Sequence, residues 1–372
     1  MENVEWGEFK LGKLFEIFSS KKIYHANQIN KIFDVQVNNS FPYVVRTTKN
    51  NGIRGFIKGE LSKINEGNTL SFAQDTFSVF YQKQMYYTGN KVKILKAKFK
   101  KQNEQIMQYF TASFQSSLDS YTWGVGSTVK TIKETKIQLP IKNGEIDFEF
   151  MEDFIAELEA ARIAELEAYL NVTGLKDYKL TTEELKVLEE FESGKLSLGV
   201  FNIGDLFEIN TYKKRYDANK TTISDIGYPY VVRTSLNNGV KGFINEDVQY
   251  LNDGNTISFG QDTATMFYQE KPYFTGDKIK ILKSKNKKFN KLNAQFFIAT
   301  MTKSFSAFSW GSSSYNIKVI GNQQIQILTK NKKPNYKLME TFITAIQKLV
   351  IKDVVLYADN KISATKTVVS KK

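Results

Sequence analysis

Short runs in which apolar and polar residues alternate dominate two stretches of the chain and predict β-strands. The run Leu70–Phe72 lies between turn signals, and Val92–Leu95 repeats the alternation. Asn51-Gly52 and Asn238-Gly239 mark hairpin turns, because asparagine and glycine tolerate the positive φ that such turns require. Both stretches are therefore expected to be mostly β.

A different pattern, with apolar residues at helical spacing, follows each β-rich stretch. The segment from Phe148 to Leu170 repeats apolar positions every three or four residues, with charged residues between them. Leu338–Val350 carries a similar stripe. Thr181 and Glu184 have the capping-box spacing, which predicts another short helix. We expect the striped segments to pack antiparallel on each other; the alternative is that each packs on its own β-rich stretch.

The two β-rich stretches are copies of one sequence. Asn65–Thr76 returns as 252–263 at an offset of 187, and the copies agree at 20 of 32 positions from Asn65 to Lys96. Their openings, Leu11–Ile17 and Ile203–Ile209, match at an offset of 192, so the first copy carries five extra residues in a loop. Because solenoid repeats have periods of roughly 20–50 residues, this duplication indicates two whole domains.

Charge is distributed unevenly along the chain. The formal net charge is +13, yet residues 145–192 contain 15 acidic and 4 basic side chains, which leaves +24 on the rest. A basic surface of this size attracts polyanions and favours binding to nucleic acid. The alternative is an ordinary solvated surface in a lysine-rich protein.

Composition narrows the class of protein further. The chain has no cysteine, which excludes disulfides and thiolate metal sites and suits a cytoplasmic location. The sequence also contains no run of about 18 apolar residues, so we expect no membrane span.

Motifs that usually accompany catalysis are missing from the sequence. There is no Walker-type loop, no His-Glu-x-x-His pattern and no Gly-x-Ser-x-Gly elbow. No two prolines are adjacent and no proline precedes aspartate, so common motifs of DNA amino-methyltransferases and metal nucleases are absent too. His25 is the one histidine, and its repeat counterpart is Asp217, which favours a solvated loop over a catalytic base.

The repeated Gln-Asp-Thr triplets, Gln74–Thr76 and Gln261–Thr263, are the strongest candidates for hidden chemistry. Asp75 or Asp262 could act as a general base. We favour a structural role in a turn, because Asx side chains commonly bond nearby backbone groups. We therefore expect no catalytic residue and no metal site in this chain.

Three segments together carry a resemblance to a known family. Trp6–Ile17 opens the first copy, Phe201–Ile209 opens the second, and the acidic helix Phe148–Glu159 lies between them. In this order, duplicated over essentially the whole chain, they resemble the DNA-specificity (S) subunits of type I restriction–modification systems and their type IIB relatives. The resemblance implies an α+β protein with two similar, mostly-β target-recognition domains, joined by helices that form an antiparallel, pseudo-twofold spacer. The corresponding boundaries are 1–144 and 196–333 for the domains, and 145–195 and 334–372 for the helical segments and tail.

The family also implies how the work is divided. Each target-recognition domain reads one half of a bipartite site in double-stranded DNA, and the helices set the distance between the halves. The helices also dock DNA methyltransferase subunits, which carry S-adenosylmethionine. A restriction subunit with Mg²⁺ is present only in some systems, and no cofactor is expected in this chain. The expected partner-binding side chains lie on the helical stripes: Met151, Phe154, Ile155, Leu158, Phe342 and Ile346.

The length of the central helix bears on the type of system. Phe148–Leu170 spans about 34 Å at roughly 1.5 Å per residue, which is near one turn of B-DNA at about 34–36 Å. This length is short for a type I spacer and favours a compact, type IIB-like relative or a short gap between half-sites.

Candidate DNA contacts follow from side-chain chemistry rather than from the family. Arg46 and Arg233 end matching strand-like runs, and arginine bonds guanine in a bidentate fashion or pairs with phosphate; the alternative is a salt bridge inside the domain. Gln74 and Gln261 could read adenine. The other candidates are basic, aromatic or hydroxyl residues in equivalent loops: Lys21, Lys22, Tyr24, Arg54, Ser127, Lys213, Lys214, Arg215, Tyr216, Lys241, Ser313 and Tyr315.

Two other classes of function stay open at this stage. The chain could be a nuclease or methyltransferase fragment whose site has no recognisable motif. It could also be a module that binds RNA or another polyanion, a reading that rests on charge alone.

Overall fold

The computed structural model describes residues 4–20, 24, 25, 27, 29–118, 128–306 and 315–369, with residues 364–369 described for the backbone only. The chain divides into two compact units, Met1–Leu166 and Glu167–Lys372. This division falls inside the central helix; the four-segment division inferred from the sequence stays a prediction.

In the first unit the described residues form ten strands and four helices. The strands are β1 Glu5–Lys10, β2 Phe15–Ser19, β3 Phe41–Val44, β4 Ile53–Ile57, β5 Thr69–Ala73, β6 Ser78–Gln82, β7 Tyr87–Thr88, β8 Val92–Ala97, β9 Lys136–Lys142 and β10 Glu145–Ile146. The helices are α1 Leu11–Leu14, α2 Glu104–Ser117, α3 Val129–Glu134 and α4 Phe148–Val172, which continues into the second unit.

The described part of the second unit repeats this order and adds a helix before it. The strands are β11 Leu198–Asn202, β12 Phe207–Thr211, β13 Tyr228–Val231, β14 Val240–Ile244, β15 Thr256–Gly260, β16 Met266–Gln269, β17 Phe274–Thr275, β18 Ile279–Ser284, β19 Gln324–Lys330 and β20 Lys333–Pro334. The helices are α5 Thr182–Glu192, α6 Ile203–Leu206, α7 Lys291–Phe305, α8 Ile317–Asn322 and α9 Tyr336–Val369.

Strand pairing is the same in both units. A four-stranded antiparallel sheet has the order β2-β8-β5-β6 in the first unit and β12-β18-β15-β16 in the second. A three-stranded sheet, β4-β3-β7 or β14-β13-β17, contains one parallel pair. Leu70 pairs with Leu95 as Ile257 pairs with Leu282, so the register is preserved as well. The predicted α+β class and the two similar mostly-β halves are thus confirmed.

The hydrophobic core of each unit lies between its four-stranded sheet and helix α2 or α7. Phe15 and Phe110 are fully buried and meet edge to face, with 5.3 Å between ring centroids. Phe207 and Phe297 meet in the same way at 5.3 Å. Aromatic pairs of this geometry add stability beyond the area that they bury, so each copy has kept the same anchor.

Helix α5 runs antiparallel to α9 inside the second unit. The rings of Phe191 and Phe342 lie 4.7 Å apart, and Glu184 pairs with Lys348 at 3.1 Å. The residue numbers of these contacts increase along α5 while they decrease along α9, so these two helices pack antiparallel. The antiparallel packing of Phe148–Leu170 on Leu338–Val350 stays a prediction. The capping box predicted at Thr181 and Glu184 is present and starts α5.

The first turns of α4 and α9 pack on the β-rich part of their own units. Met151 and Ile155 are buried in the first core, and Met339 and Phe342 are buried in the second. Of the two arrangements weighed from the sequence, the contact of each striped segment with its own β-rich stretch is therefore present at the start of each helix. The contact between the two striped segments stays a prediction.

The pair Glu184–Lys348 is the most deeply buried ion pair between α5 and α9, with side chains 8% and 12% exposed. Burial acts to raise the pKa of Glu184, but the Thr181 N–H and the Lys348 ammonium outweigh it and hold that pKa below its ordinary value. Burial acts to lower the pKa of Lys348, but Glu184 and Asp177 outweigh it and raise that pKa. The ion pair therefore stabilises the α5–α9 contact at neutral pH.

Candidate nucleic-acid interface

Three loops meet at one end of the first unit. They are the bend after β3, the turn between β5 and β6, and the turn between β7 and β8. Backbone bonds hold them together: Gly89 N–H donates to the Val44 carbonyl at 2.8 Å, and Gln74 N–H donates to the Lys91 carbonyl at 3.1 Å. Side chains from all three loops are thereby brought to one place on the surface.

Those side chains form a cluster of opposite charges. The Arg46 guanidinium pairs with the Asp75 carboxylate, and the Lys91 ammonium lies 3.3 Å from Asp75 Oδ1. The hydroxyls of Thr76 and Ser78 are bonded at 2.7 Å and close the turn that carries Asp75. The salt bridge kept open as an alternative for Arg46 is therefore present, and Asp75 is an ion-pair partner between loops.

The second unit contains an equivalent cluster. Arg233 pairs with Asp262, and the Lys278 ammonium lies 3.0 Å from Asp262 Oδ2. A second carboxylate is added here, since Asp277 lies 4.0 Å from Arg233 and 3.7 Å from Arg215. In the first unit the corresponding position is Asn90.

A surface cavity of about 390 Å³ adjoins the cluster of the first unit. Its lining includes Tyr24, His25, Arg46, Arg54 and Asp75. Three residues predicted separately as DNA contacts, the tyrosine and the two arginines, thus share one concave surface. Its lining is polar and open to solvent, which suits a nucleic-acid edge better than a small apolar ligand.

The second unit has a cavity of about 630 Å³, lined by Lys214, Arg215, Tyr216, Asp217 and Lys220 among others. The predicted basic run therefore faces a concave surface in this unit too. Its lining carries acidic as well as basic side chains, so it is a mixed surface rather than a purely cationic one.

The comparisons with known proteins agree with this duplicated architecture. A model of the type I restriction modification DNA specificity domain matches the chain twice, over residues 3–168 and 197–356. The chain belongs to this DNA specificity family. The resemblance drawn from the two opening motifs and the acidic helix is confirmed.

Two individual proteins are similar to this chain over nearly its whole length. The specificity subunit S.BcgI of a type II restriction enzyme from Heyndrickxia coagulans is 24% identical over 355 residues, which are 94% of this chain and 96% of that protein. The S subunit of a type I restriction–modification system from M. genitalium has a similar fold, with a TM-score of 0.60 and 13% identity over 99% of this chain and 95% of that one.

The tyrosine candidates of this family member occupy equivalent positions but different surroundings. The Tyr43 hydroxyl donates to the Tyr24 carbonyl at 2.7 Å, and the Tyr230 hydroxyl donates to the Tyr216 carbonyl at 2.7 Å. Both rings pack edge to face on equivalent residues, Tyr24 on Tyr87 and Tyr216 on Phe274, but Tyr24 is half-buried whereas Tyr216 is 6% exposed. In this buried position the ring of Tyr216 stabilises its own loop.

Other candidates lie on or near the same loops. Arg54 is exposed on β4, close enough to Tyr43 to oppose the rise that burial causes in the pKa of that tyrosine. Lys241 is exposed on β14, and its ammonium donates to the Ala218 carbonyl at 2.9 Å. The side chains of Gln74 and Gln261 are half-buried beside the charge clusters.

The remaining candidates are less well placed or outside the description. Tyr315 packs edge to face on Phe259 and Phe305, which gives it a core contact. The backbone of Lys213 donates to the Asn252 side chain at 3.1 Å. Four candidates lie outside the described residues: Lys21, Lys22, Ser127 and Ser313.

Sequence reasoning missed Lys91 and Lys278 as members of the site. Both adopt a positive φ, 59° and 57°, which is uncommon for a residue with a long side chain. The signal available in the sequence was the Gly-x-Lys run that both copies retain, at Gly89 and Gly276.

The predicted partner-binding stripe divides into buried and exposed residues. Leu158 and Ile346 are 44% and 36% exposed. Met151, Ile155 and Phe342 are buried in the cores of their own units, where they fix the helices in place. The last candidate, Phe154, is half-buried and packs edge to face on Tyr109.

The described residues contain neither a membrane-spanning helix nor a metal-binding cluster. None of the helices in that part of the chain is both long and apolar enough to span a membrane. Within the same residues, no group of three or more histidines and carboxylates is placed to hold a metal ion.

Proposed function

We propose that this chain is the non-catalytic DNA-specificity subunit of a restriction–modification methyltransferase complex, and that each unit reads one half of a bipartite site. The observation that carries the proposal is the duplicated charge cluster. Two units of identical strand order each present an arginine, an aspartate and a lysine at the same end of the fold. A duplicated reader suits a target that itself has two parts.

The basic charge of the chain supports DNA as the ligand. Residues outside the acidic segment 145–192 carry +24 in total, and neutralising DNA phosphates with such side chains releases counterions and drives binding. Lysines on matching loops would contact phosphates, while the loops that differ between the copies would read the bases in which the two half-sites differ. Because the two readers are alike, we expect related half-sites, in inverted order if the helical spacer relates the readers by a pseudo-twofold axis.

The helices are the proposed spacer and dock. Helix α4 has 25 residues, about 37 Å at roughly 1.5 Å per residue. Helix α9 exposes large apolar side chains, among them Val350 at 73% and Tyr357 at 54%. Exposed apolar residues of this kind mark protein contacts, and DNA methyltransferase subunits are the proposed partners. Those subunits would hold S-adenosylmethionine, and a restriction subunit, where one exists, would use Mg²⁺. Chromosomal DNA as the target implies that the complex works in the cytoplasm.

Methylome sequencing tests the proposal directly. The chain is co-expressed with a methyltransferase subunit from a restriction–modification system of the same kind, in a host that lacks the modification. The methyltransferase subunit expressed alone is the control. We expect methylation at a two-part motif with a fixed gap, and only when this chain is present. A continuous single-part motif, or the same motif without this chain, would contradict the proposal.

Two further measurements separate the other classes of function. The purified chain is incubated alone with duplex DNA, Mg²⁺ and S-adenosylmethionine, where steady turnover would favour an enzyme. Binding to duplex DNA is then competed with RNA at a stated salt concentration. Equal competition by RNA and by random-sequence duplex would favour a general polyanion binder.

A further inference from the structure

We propose that Arg46 and Arg233 each read a guanine, and that Asp75 and Asp262 are the positioning residues that hold these guanidinium groups ready. The inference rests on the proposed function, because it names the base that each half of the molecule contacts at one position. It also predicts that both half-sites contain a guanine at the equivalent position.

The ion pairs restrict the arginine side chains but leave them accessible to solvent. The Arg46 and Asp75 side chains are 38% and 30% exposed, and those of Arg233 and Asp262 are 32% and 30% exposed. Ion pairs at this level of exposure contribute little net stability. An arginine can therefore exchange a carboxylate for a base at small cost, while the pair limits its rotamers beforehand.

The neighbouring carboxylate decides between a base and a phosphate as the ligand. A phosphate that approached Arg46 would also meet the negative charge of Asp75, which is in direct contact with the guanidinium. The major-groove edge of guanine is neutral and offers two acceptors, N7 and O6, that match the arginine fork. The site therefore favours the guanine edge, and Lys91, 3.3 Å from Asp75 on the other side, is better placed for the backbone.

The same cluster geometry occurs in both units, so the proposed contact applies to both halves of the DNA site. In both units the arginine follows the third strand of the copy, the aspartate lies in the turn between β5 and β6 or between β15 and β16, and the lysine precedes the strand β8 or β18. The loops that carry these clusters are similar in sequence, whereas the copies differ around residues 19–41 and 211–228. A contact retained in both readers predicts a base shared by both half-sites.

Selection of bound duplexes from a randomised library tests the proposal with the full chain in complex with its methyltransferase subunit. The decisive variant is Arg46→Lys, which keeps the positive charge but removes the bidentate fork. We expect the preference for guanine to fall on the order of tenfold at one position of one half-site, with the other half-site unchanged. Arg233→Lys should give the mirror result.

Asp75→Asn separates positioning from a merely structural role. We expect a weaker preference for the same guanine together with tighter binding to non-cognate duplex, because one negative charge near the DNA is removed. A loss of folding would lower both quantities instead. The matched control is Glu66→Gln, which removes another exposed pair, Glu66–Lys96 at 2.5 Å, and should leave base preference unchanged.

The ligand atom is checked by replacing the selected guanine with 7-deazaguanine, which lacks the N7 acceptor. Binding by the unmodified chain should weaken, and binding by Arg46→Lys should weaken no further. A two-part motif that lacks guanine in either half, or a guanine preference that survives Arg46→Lys, overturns this inference and leaves the proposed function standing. A library that yields no two-part motif overturns the proposed function itself.

Discussion

The two units share one backbone plan but balance the charge of their central arginines differently. In the first unit Asp75 serves both Arg46 and Lys91, so two cations share one carboxylate. In the second unit Asp277 adds a second carboxylate beside Arg233. The strands, register and core anchors agree between the units, while the charges at the loops have diverged. The two units therefore share the same strands and core but present different charges at the surface.

The tyrosine loops show the same division between frame and surface. In the first unit the Lys63 ammonium lies 4.7 Å from the ring centre of Tyr24. In the second unit the position of Lys63 is taken by Tyr250, and the Lys214 ammonium lies 4.9 Å and 4.6 Å from the ring centres of Tyr216 and Tyr250. A lysine therefore covers the tyrosine in both units but comes from a different loop.

The largest effect is expected where the units are most alike. Phe110→Ala and Phe297→Ala remove equivalent, fully buried rings, and each should lower the free energy of unfolding of its own unit by about 3–5 kcal/mol. Hydrogen exchange followed through a denaturant series reports each unit separately. Phe77→Ala, at a half-buried turn position, is the control and should cost much less. Unequal losses from the two core variants would break the equivalence of the cores.

The next effect should be confined to the second unit. Lys348→Met leaves the buried carboxylate of Glu184 without its cation and should cost about 3 kcal/mol at neutral pH. Denaturant unfolding measures the loss, and hydrogen exchange in α5 should locate it. The control is Lys186→Met, which removes an exposed cation from α5, the helix that carries Glu184. Equal protection of α5 in the variant and the unmodified chain would refute the role of the pair.

Acidification should weaken the same contact. The pKa of Glu184 is lower in the folded state than its ordinary value of 4.5. Its contribution is therefore fully present above pH 4.5 and is lost as the pH falls through the folded-state pKa. The protection factor of the α5 amides, which corrects for the pH dependence of intrinsic exchange, should fall over that acidic range in the unmodified chain, and much less in Glu184→Gln. A pH-independent rate ratio between the two proteins would count against this assignment.

Substituting Asn90 or Asp277 with the residue at the equivalent position of the other unit should make the surface charge of the two units more alike. Asn90→Asp adds to the first unit the carboxylate that Asp277 provides in the second. We expect about fivefold weaker binding to duplex DNA at low salt, and Asp277→Asn should strengthen it by a similar factor. Both effects should shrink as salt is raised. Fluorescence anisotropy across a salt series is the measurement, and two changes of the same sign would contradict the charge argument.

The smallest effect is expected at the tyrosine loops. Lys214→Ala removes the ammonium from two aromatic rings and should cost about 0.5 kcal/mol of stability in the second unit. Lys214→Arg should restore it, because arginine also stacks on aromatic faces. Chemical denaturation of the two variants side by side provides the test. If Lys214→Ala were as stable as the unmodified chain, the cation–π contact would contribute nothing to stability.

The parts of the fold that follow from local patterns were accessible from the sequence. Alternation predicted β5 and β8, and the capping-box spacing at Thr181 predicted the start of α5. The four-residue helices α1 and α6 were missed, because so few residues carry no periodic signal. The boundary before β6 does not follow from the apolar pattern, because Phe77 has a φ of +50° and belongs to the turn, and the strand begins at Ser78.

The candidate site was only partly accessible, because it depends on contacts between loops. Arg46 and Asp75 are 29 positions apart in the chain, and both a salt bridge and a DNA contact were compatible with the arginine. Burial of Tyr216 depends on Tyr250 and Phe274, which come from later segments of the chain. Periodicity reports on residues that are neighbours along the chain and does not indicate which turns meet in space.

The preserved strand register has a consequence for how the chain reaches this structure. Because β5 and β15 present matching partners to β8 and β18, each central strand can pair in the other sheet while the chain is still unfolded. Dilution from denaturant exposes both strands at once, so exchange between copies competes with correct pairing. Synthesis on the ribosome delivers the first copy before the second exists. Native yield should therefore be higher after translation in vitro than after refolding, and equal yields would argue that the two copies sort themselves without that order.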